Sequence, residues 1–129
     1  MKSEPDVYSW QRLEREKRAV WDGVRNYQAN NNMKAMQVGD LAFFYHSNVG
    51  KEIVGIMKIV KTWYPDPADE TGRFGLVDVA PVEAFDKPVG LATIKADTPL
   101  QDMAFVRQGR LSVSPVTGAE WKRILKLSA

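Results

Sequence analysis

The chain has 129 residues, with 18 lysines and arginines against 16 aspartates and glutamates, which gives a formal net charge of +2. This length suits one domain with its own core, which we expect over residues 1–129, and the absence of cysteine excludes disulfides, thiolate zinc sites and thiol catalysis. The small net charge argues against a broad basic face for duplex phosphates, so a nucleic-acid partner would have to be recognised in a pocket.

The first third of the chain predicts two short helices. Ser9 is a favourable N-cap for a helix from Trp10 to Lys17. Residues 26–36 carry apolar side chains at helical spacing, and the turn signal Gly39-Asp40 ends this second helix.

The middle of the chain predicts three strands. LAFFYHS at 41–47 is short, aromatic-rich and bounded by turns, which indicates a buried strand. EIVGIMKIVKTWY at 52–64 is rich in β-branched residues, and its Gly55 predicts a bulge or a close backbone approach. After a loop rich in Pro, Asp and Gly, GLVDVAPVEAF at 75–85 predicts a strand that ends near Pro81 or lies at a sheet edge.

The last third predicts short helices at 91–96 and 100–106, and a strand, LSVSPV, at 111–116. A final helix follows, and its start carries the capping-box pattern Thr117-x-x-Glu120. Strands joined by short helices without regular βαβ alternation predict a small α+β barrel and disfavour a doubly wound parallel sheet.

His46 is the only histidine, and it limits the catalysis that the sequence can support. A metal site would need carboxylates for all its other ligands, so we expect none. Ser47 is adjacent, but neighbouring residues of a strand point to opposite faces, which argues against a Ser–His pair. Two alternatives stay open: an enzyme acting on a nucleotide or small metabolite, with His46 and Asp22 as acid–base groups, and a protein-interaction module.

Trp21, Tyr27, Tyr45 and Trp63 offer flat aromatic faces, and carboxamides lie close to the first two in the stretch 21–32. Single rings of this kind usually fill a core. An aromatic wall beside carboxamides is also what base recognition needs, because the ring stacks on the base and the amide reads its hydrogen-bonding edge. The residues alone leave both interpretations open.

Six motifs occur in order along nearly the whole chain: KSEP at 2–5, WDGVRNYQA at 21–29, FFYHSN at 43–48, YPDP at 64–67, VDV at 77–79 and RLSVSPVT at 110–117. Together they resemble the EVE domain family of the PUA-like superfamily. The resemblance implies an α+β, PUA-like fold: a small distorted β-barrel with short helices packed around it. It also implies a non-enzymatic module that captures a modified base, methylated or hydroxymethylated, flipped out of DNA or, less favoured, RNA.

The resemblance also implies which residues form the site. EVE domains are similar to YTH domains, and Trp21 falls where a YTH domain places its first cage tryptophan, so it is expected to stack on the base. Strand register will decide which residues of the YHS strand end face the pocket. The remaining expected base contacts are Lys2, Ser3, Asn26, Tyr45, His46 and Ser47. Arg25, Arg107 and Arg110 are expected to contact the nucleic-acid backbone, with simple solvation as the alternative for the last two. No catalytic residue, metal or cofactor is implied, and we expect a monomer.

Two departures from the family pattern carry expectations of their own. Met1 directly precedes Lys2, where relatives usually have an aromatic-Trp-Leu segment, so the first strand is expected to be short. Position 30 is usually arginine, and Asn30 would remove a positive charge from the predicted nucleic-acid side.

The sequence predicts no membrane partner. No apolar run approaches the roughly 18 residues of a membrane span, and the opening MKSEPD is too polar for a signal peptide. We therefore expect a cytoplasmic location for this bacterial-type chain, or a nuclear one if it is eukaryotic.

Overall fold

The structure, a computed structural model, describes residues 1–129. Its strands are β1 (Lys2–Ser3), β2 (Ala19–Trp21), β3 (Leu41–His46), β4 (Glu52–Pro65) and β5 (Gly75–Gly90). Its helices are α1 (Trp10–Glu16), α2 (Tyr27–Lys34), α3 (Leu91–Ala96), α4 (Ala104–Arg107) and α5 (Gly118–Leu127), with one 3₁₀ turn at Thr98–Leu100. None of these helices is long and apolar enough to cross a bilayer.

The five strands form one sheet in the order β1-β3-β4-β5-β2, in which β1 is parallel to β3 and the other neighbours are antiparallel. The β4–β5 ladder is the longest, and its register shifts at four places. Each shift increases the local twist, so the long strands coil and the sheet curls towards a barrel. Mixed strands with short helices confirm the expected α+β, PUA-like fold, and β1, at two residues, is as short as expected.

Two hydrophobic cores lie on opposite faces of this sheet. Along β3 the side chains alternate between them: Phe44 packs in the first core, while Phe43 and Tyr45 pack in the second. The first core is closed by α1 and α2, and the second by α3, α4 and α5. The first core contains Trp10, Leu13, Trp21, Val24, Ala29, Met33, Phe44, Val54, Met57, Ile59, Val77, Val79, Leu111 and Val113.

Gly55 combines both features that the sequence predicted for it. The β3–β4 register shifts next to it, between Phe44 and Tyr45. A Cβ atom at position 55 would lie 2.6 Å from Cζ2 of the Trp10 ring and 2.8 Å from the carbonyl oxygen of Glu83. Only glycine therefore lets α1 pack this closely on the sheet.

One predicted strand is absent, and another runs further than predicted. Residues 111–116 form no strand, although Leu111 and Val113 are buried in alternation as a strand would bury them. The one backbone hydrogen bond from β1 to this segment, from Lys2 N–H to the Ser112 carbonyl (2.9 Å), does not develop into a ladder. Strand β5 does not end near Pro81 but runs on to Gly90. Because β2 pairs only with residues 77–79 of β5, Pro81 lies on a stretch that has β4 as its one neighbour, which is the edge position expected for a proline.

The C-terminal helix was predicted correctly. The Thr117 hydroxyl accepts from the Glu120 N–H, and the Glu120 carboxylate accepts from the Thr117 N–H. This reciprocal pair satisfies two of the free N–H groups at the start of α5.

Candidate nucleic-acid interface

A cleft of about 620 Å³ opens where the two edges of the sheet approach each other. Strand β1 supplies one side and strand β2 the other, while α1 and the turn before it form the floor. Because β1 and β2 are the opposite edges of the sheet order, the cleft occupies the seam at which a complete barrel would close. Its lining residues are Lys2, Ser3, Glu4, Val7, Tyr8, Arg12, Ala19, Val20, Trp21, Asp22 and Gly23.

Trp21 is the last residue of β2 and forms part of the β2 wall of the cleft. It pairs with Val77 on β5, and its ring meets Phe44 edge to face, with centroids 5.5 Å apart and an interplanar angle of 85°. Only 8% of the residue is exposed. The core thus fixes the ring orientation, and a ligand in the cleft would meet only the small exposed fraction of this residue.

Tyr8, in the turn before α1, and Arg12, on α1, belong to the floor of the cleft, and the sequence analysis missed both. The Arg12 guanidinium lies 4.8 Å from the Tyr8 ring centroid. The Tyr8 hydroxyl donates to Glu16 at 3.0 Å. Burial, and then this hydrogen bond, raise the pKa of Tyr8 to about 12. The i,i+4 spacing of Arg12 and Glu16, next to an aromatic residue that precedes the N-cap Ser9, is the signal that could have found them.

Ser3 ties β1 to the floor of the cleft, because its hydroxyl donates to the Tyr8 carbonyl at 2.6 Å. Glu4 and Asp22 are exposed, and neither carboxylate has a hydrogen-bond partner or an ion pair within the protein. The polar side of the cleft therefore carries two carboxylates that are free to meet a ligand.

Lys2 connects the cleft with the segment that contains Arg107 and Arg110, two of the residues predicted to contact the nucleic-acid backbone. Its Nζ donates to the Gly109 carbonyl at 2.6 Å and lies 5.0 Å from the Phe105 ring, and burial lowers its pKa. Arg110 follows Gly109, is exposed and has no partner. Arg107 is also exposed and pairs with Asp102. Two cations thus flank the residue to which Lys2 is bound.

The register of β3 separates the YHS residues, and none of them lines the cleft. Tyr45 faces the second core, with its ring centroid 4.8 Å from that of Phe105. Ser47 lies just past the strand, where its N–H donates to the Ser3 carbonyl at 2.9 Å. The structure does not bring these side chains together with Trp21 in one pocket, because strand alternation and the strand end direct them elsewhere.

His46 points to the same face of the sheet as Phe44 but is bonded inside the protein. Its Nε2 accepts from the Trp10 N–H at 3.0 Å, and the residue is buried. Burial lowers the pKa of the imidazole, with a smaller opposing effect from Glu52. The neutral ring thus acts as an acceptor for the first turn of α1, and it lies outside the cleft that Asp22 lines.

Asn26 and Arg25 also lie outside the cleft. The Asn26 side chain caps α2 by accepting from the Ala29 N–H at 2.9 Å. Arg25 bonds Asp66 at 3.1 Å and the Val24 carbonyl at 2.9 Å. Both side chains shape the turn from β2 into α2 and its contact with the loop after β4.

Asn30 does not lie on a nucleic-acid surface, contrary to the expectation from the family pattern. It is buried, and its Oδ1 accepts from Trp63 Nε1 (2.8 Å) and from the Gly75 N–H (3.1 Å). Its Nδ2 donates to the Arg73 carbonyl at 3.0 Å. The residue ties α2 to β4 and β5, so its identity bears on packing.

No group of three or more histidine, aspartate or glutamate side chains is arranged to hold a metal ion. A second groove of about 350 Å³ lies near the start of β3, and apart from Tyr45 it contains none of the predicted site residues.

The mixed sheet with an open seam beside Trp21 identifies the protein as a PUA-like α+β domain. The chain belongs to the EVE domain family, whose model matches residues 1–127. Human thymocyte nuclear protein 1 is 37% identical over 130 residues, an alignment that covers 83% of this chain and 58% of that protein. The mouse protein is 39% identical, with 84% and 58% covered. The chain thus spans a little over half the length of these curated relatives.

Solved structures extend the comparison. Rpa0253 from Rhodopseudomonas palustris has a TM-score of 0.94 at 48% identity, with 99% of this chain and 90% of that chain covered. The crystal structure of human THYN1 in complex with 5-methylcytosine-containing DNA has a TM-score of 0.91 at 36% identity, with 99% and 95% covered. The YTH domain of Zygosaccharomyces rouxii MRB1, solved with N6-methyladenosine RNA, has a TM-score of 0.57 at 18% identity, with 99% and 83% covered, and shows the shared fold alone.

Proposed function

We propose that this chain is a non-enzymatic reader of a modified nucleobase, carried in DNA or, less favoured, in RNA, which it captures in the seam cleft between β1 and β2 as a single domain. The observation that carries the proposal is the position of Trp21, a rigid aromatic wall in an open cleft with free polar groups beside it. The human relative whose crystal structure contains 5-methylcytosine DNA is 36% identical to this chain over almost its whole length.

The proposed roles follow from where each group lies. Trp21 and Tyr8 supply apolar faces for the base, and stacking of this kind is worth about 1–3 kcal/mol per base. Ser3 and Lys2 lie on the β1 side, where they meet the sugar and the base edge. Flipping costs a few kcal/mol, so we expect modest affinity for plain duplex and tighter binding to single strands.

Backbone contacts are assigned to Arg107 and Arg110, which flank the carbonyl that holds Lys2. Arg110 is the stronger candidate because it is exposed and unpaired, whereas Arg107 already pairs with Asp102. Arg25 is a weaker candidate, since Asp66 neutralises it.

The alternatives draw less support. Acid–base catalysis by His46 and Asp22 needs both groups on one substrate, but His46 is bonded to the backbone of α1 and does not line the cleft. The small exposed fraction of Trp21 favours a protein-interaction module with a packed pocket, but the cleft beside the ring is open. A reader would work where the nucleic acid is, in the bacterial cytoplasm or a eukaryotic nucleus.

The test compares single-stranded oligonucleotides that differ only by one 5-methylcytosine in place of cytosine. We expect tighter binding of the modified strand and a several-fold loss in Trp21→Phe, which shortens the wall and keeps an aromatic ring in the core. Trp121→Phe is the matched control, because Trp121 stacks on Phe43 in the second core, away from the cleft. Equal affinity for both strands, or an equal loss in both variants, would contradict the proposal.

A further inference from the structure

The hydrogen-bonding groups of the cleft are unequally available to a ligand. The Ser3 hydroxyl proton is already donated to the Tyr8 carbonyl, so its oxygen meets a ligand mainly as an acceptor. The two cations of the lining are held by acceptors of the protein: Lys2 by Gly109, and Arg12 by Glu16 and the Val7 carbonyl. Each of these donor groups is thus already engaged by an acceptor of the protein.

The carboxylates of the cleft lining, in contrast, are not engaged. Glu4 and Asp22 line the cleft without any partner, and an ionised carboxylate can only accept hydrogen bonds. Asp22 follows β2 directly after Trp21, and both residues line the same cleft, so a base held there lies within reach of a free carboxylate. Strand β2 pairs with β5 only, which leaves the outer main-chain edge of the same wall open to a ligand.

We infer that the cleft selects a base with an exocyclic amine on its Watson–Crick edge, as in cytosine or adenine, and that Asp22 determines this specificity by accepting a hydrogen bond from the amine. The inference rests on the proposed function. Aspartate and glutamate accept from cytosine N4 in direct readout. Thymine and uracil present a carbonyl oxygen at the same position, and that oxygen would face a carboxylate with no proton between them.

5-Methylcytosine and thymine form a matched pair of ligands. Both carry a 5-methyl group on a pyrimidine of the same shape, and they differ in the amine or carbonyl at C4 and in the proton at N3. We expect the protein to bind a single-stranded oligonucleotide with one 5-methylcytosine about ten-fold more tightly than the same strand with thymine there. Asp22→Asn should bring this ratio close to one, because a carboxamide accepts from the amine and also donates to the thymine oxygen.

The ratio is the readout, because loss of a negative charge strengthens binding to every nucleic acid. Asp86→Asn, which makes the same change at an exposed position of β5 outside the cleft, is the matched control and should leave the ratio unchanged. A ratio that stays at about ten in Asp22→Asn, or that collapses equally in Asp86→Asn, overturns the assignment. Equal binding of both strands by the parent protein, with both weakened by Trp21→Phe, overturns the amine selection and leaves the reader function standing. No effect of Trp21→Phe on any strand overturns the proposed function itself.

Discussion

The imidazole of His46, at the end of β3, accepts a hydrogen bond from the backbone N–H of Trp10, the first residue of α1, at 3.0 Å. Ser9 caps the same helix by accepting from the Arg12 N–H, so one turn of α1 is held by a local and a distant acceptor. The single histidine of the chain therefore positions the helix that lines the cleft.

This hydrogen bond predicts a pH dependence of stability. Burial lowers the pKa of His46 below its ordinary value of 6.5 in the folded state, so the unfolded chain takes up a proton first as the pH falls. The contribution of His46 to the free energy of unfolding should be fully present above pH 6.5 and decrease as the pH falls below it. Denaturant unfolding at a series of pH values measures this, and His46→Gln should flatten the curve in that window. An unchanged slope in His46→Gln would assign the loss to other groups.

A side chain at Gly55 should disrupt the contact between α1 and the sheet. Gly55→Ala places a methyl group 2.6 Å from the Trp10 ring and 2.8 Å from a backbone oxygen, so the helix or β5 must move. We expect a loss of about 1–3 kcal/mol in the free energy of unfolding. Gly118→Ala, at the start of α5 with nothing within 4 Å of its Cβ, is the control and should be as stable as the parent or more stable by about 0.4–1 kcal/mol.

Asn30 should act on stability and not on nucleic-acid binding. Asn30→Ala leaves the Trp63 indole N–H and the Gly75 N–H without their acceptor in a buried region. The expected cost is about 1–3 kcal/mol for each buried group left unpaired, measured by thermal or denaturant unfolding. Under conditions where the variant is folded, its oligonucleotide affinity and salt dependence should match the parent. A smaller slope of log K for oligonucleotide binding against log salt in Asn30→Ala would instead indicate that position 30 contacts the nucleic acid.

Arg110 should contribute a phosphate contact. Arg110→Ala is expected to weaken the binding of modified and plain oligonucleotides equally. It should also reduce the slope of log K against log salt by about 1. Lys122→Ala removes the same charge from the exposed side of α5 and should change neither quantity. If Lys122→Ala has the same effect as Arg110→Ala, net charge alone accounts for the binding.

Sequence patterns located most elements, because burial and turn chemistry are local. The run FFYH predicted a buried strand, and its alternation is what directs Phe44 to one core and Tyr45 to the other. The same alternation was misleading in LSVSPV, where Leu111 and Val113 are buried although only Ser112 bonds β1. Burial of alternate residues requires an extended backbone, and it does not require a ladder.

The site was harder to predict than the fold. The family resemblance predicted Trp21, Lys2 and Ser3 as base contacts, and all three line the cleft. The local pattern around Ser9 could have paired Tyr8 with Arg12, but their position opposite the β2 wall depends on the curl of the sheet, which no local pattern encodes. Asn26 was assigned to a ligand although its position before α2 gives it a local task as an N-cap.

The open seam also gives the sheet curvature a role in binding. β1 and β2 stand at opposite ends of the strand order, and each is only two or three residues long. Any ligand that contacts both strands links the two margins of the sheet, so part of its binding energy would oppose uncurling, and bound protein should melt at a higher temperature than free protein. A barrel fully closed by hydrogen bonds between these strands would have gained a few backbone pairs and lost the space in which the base is proposed to bind.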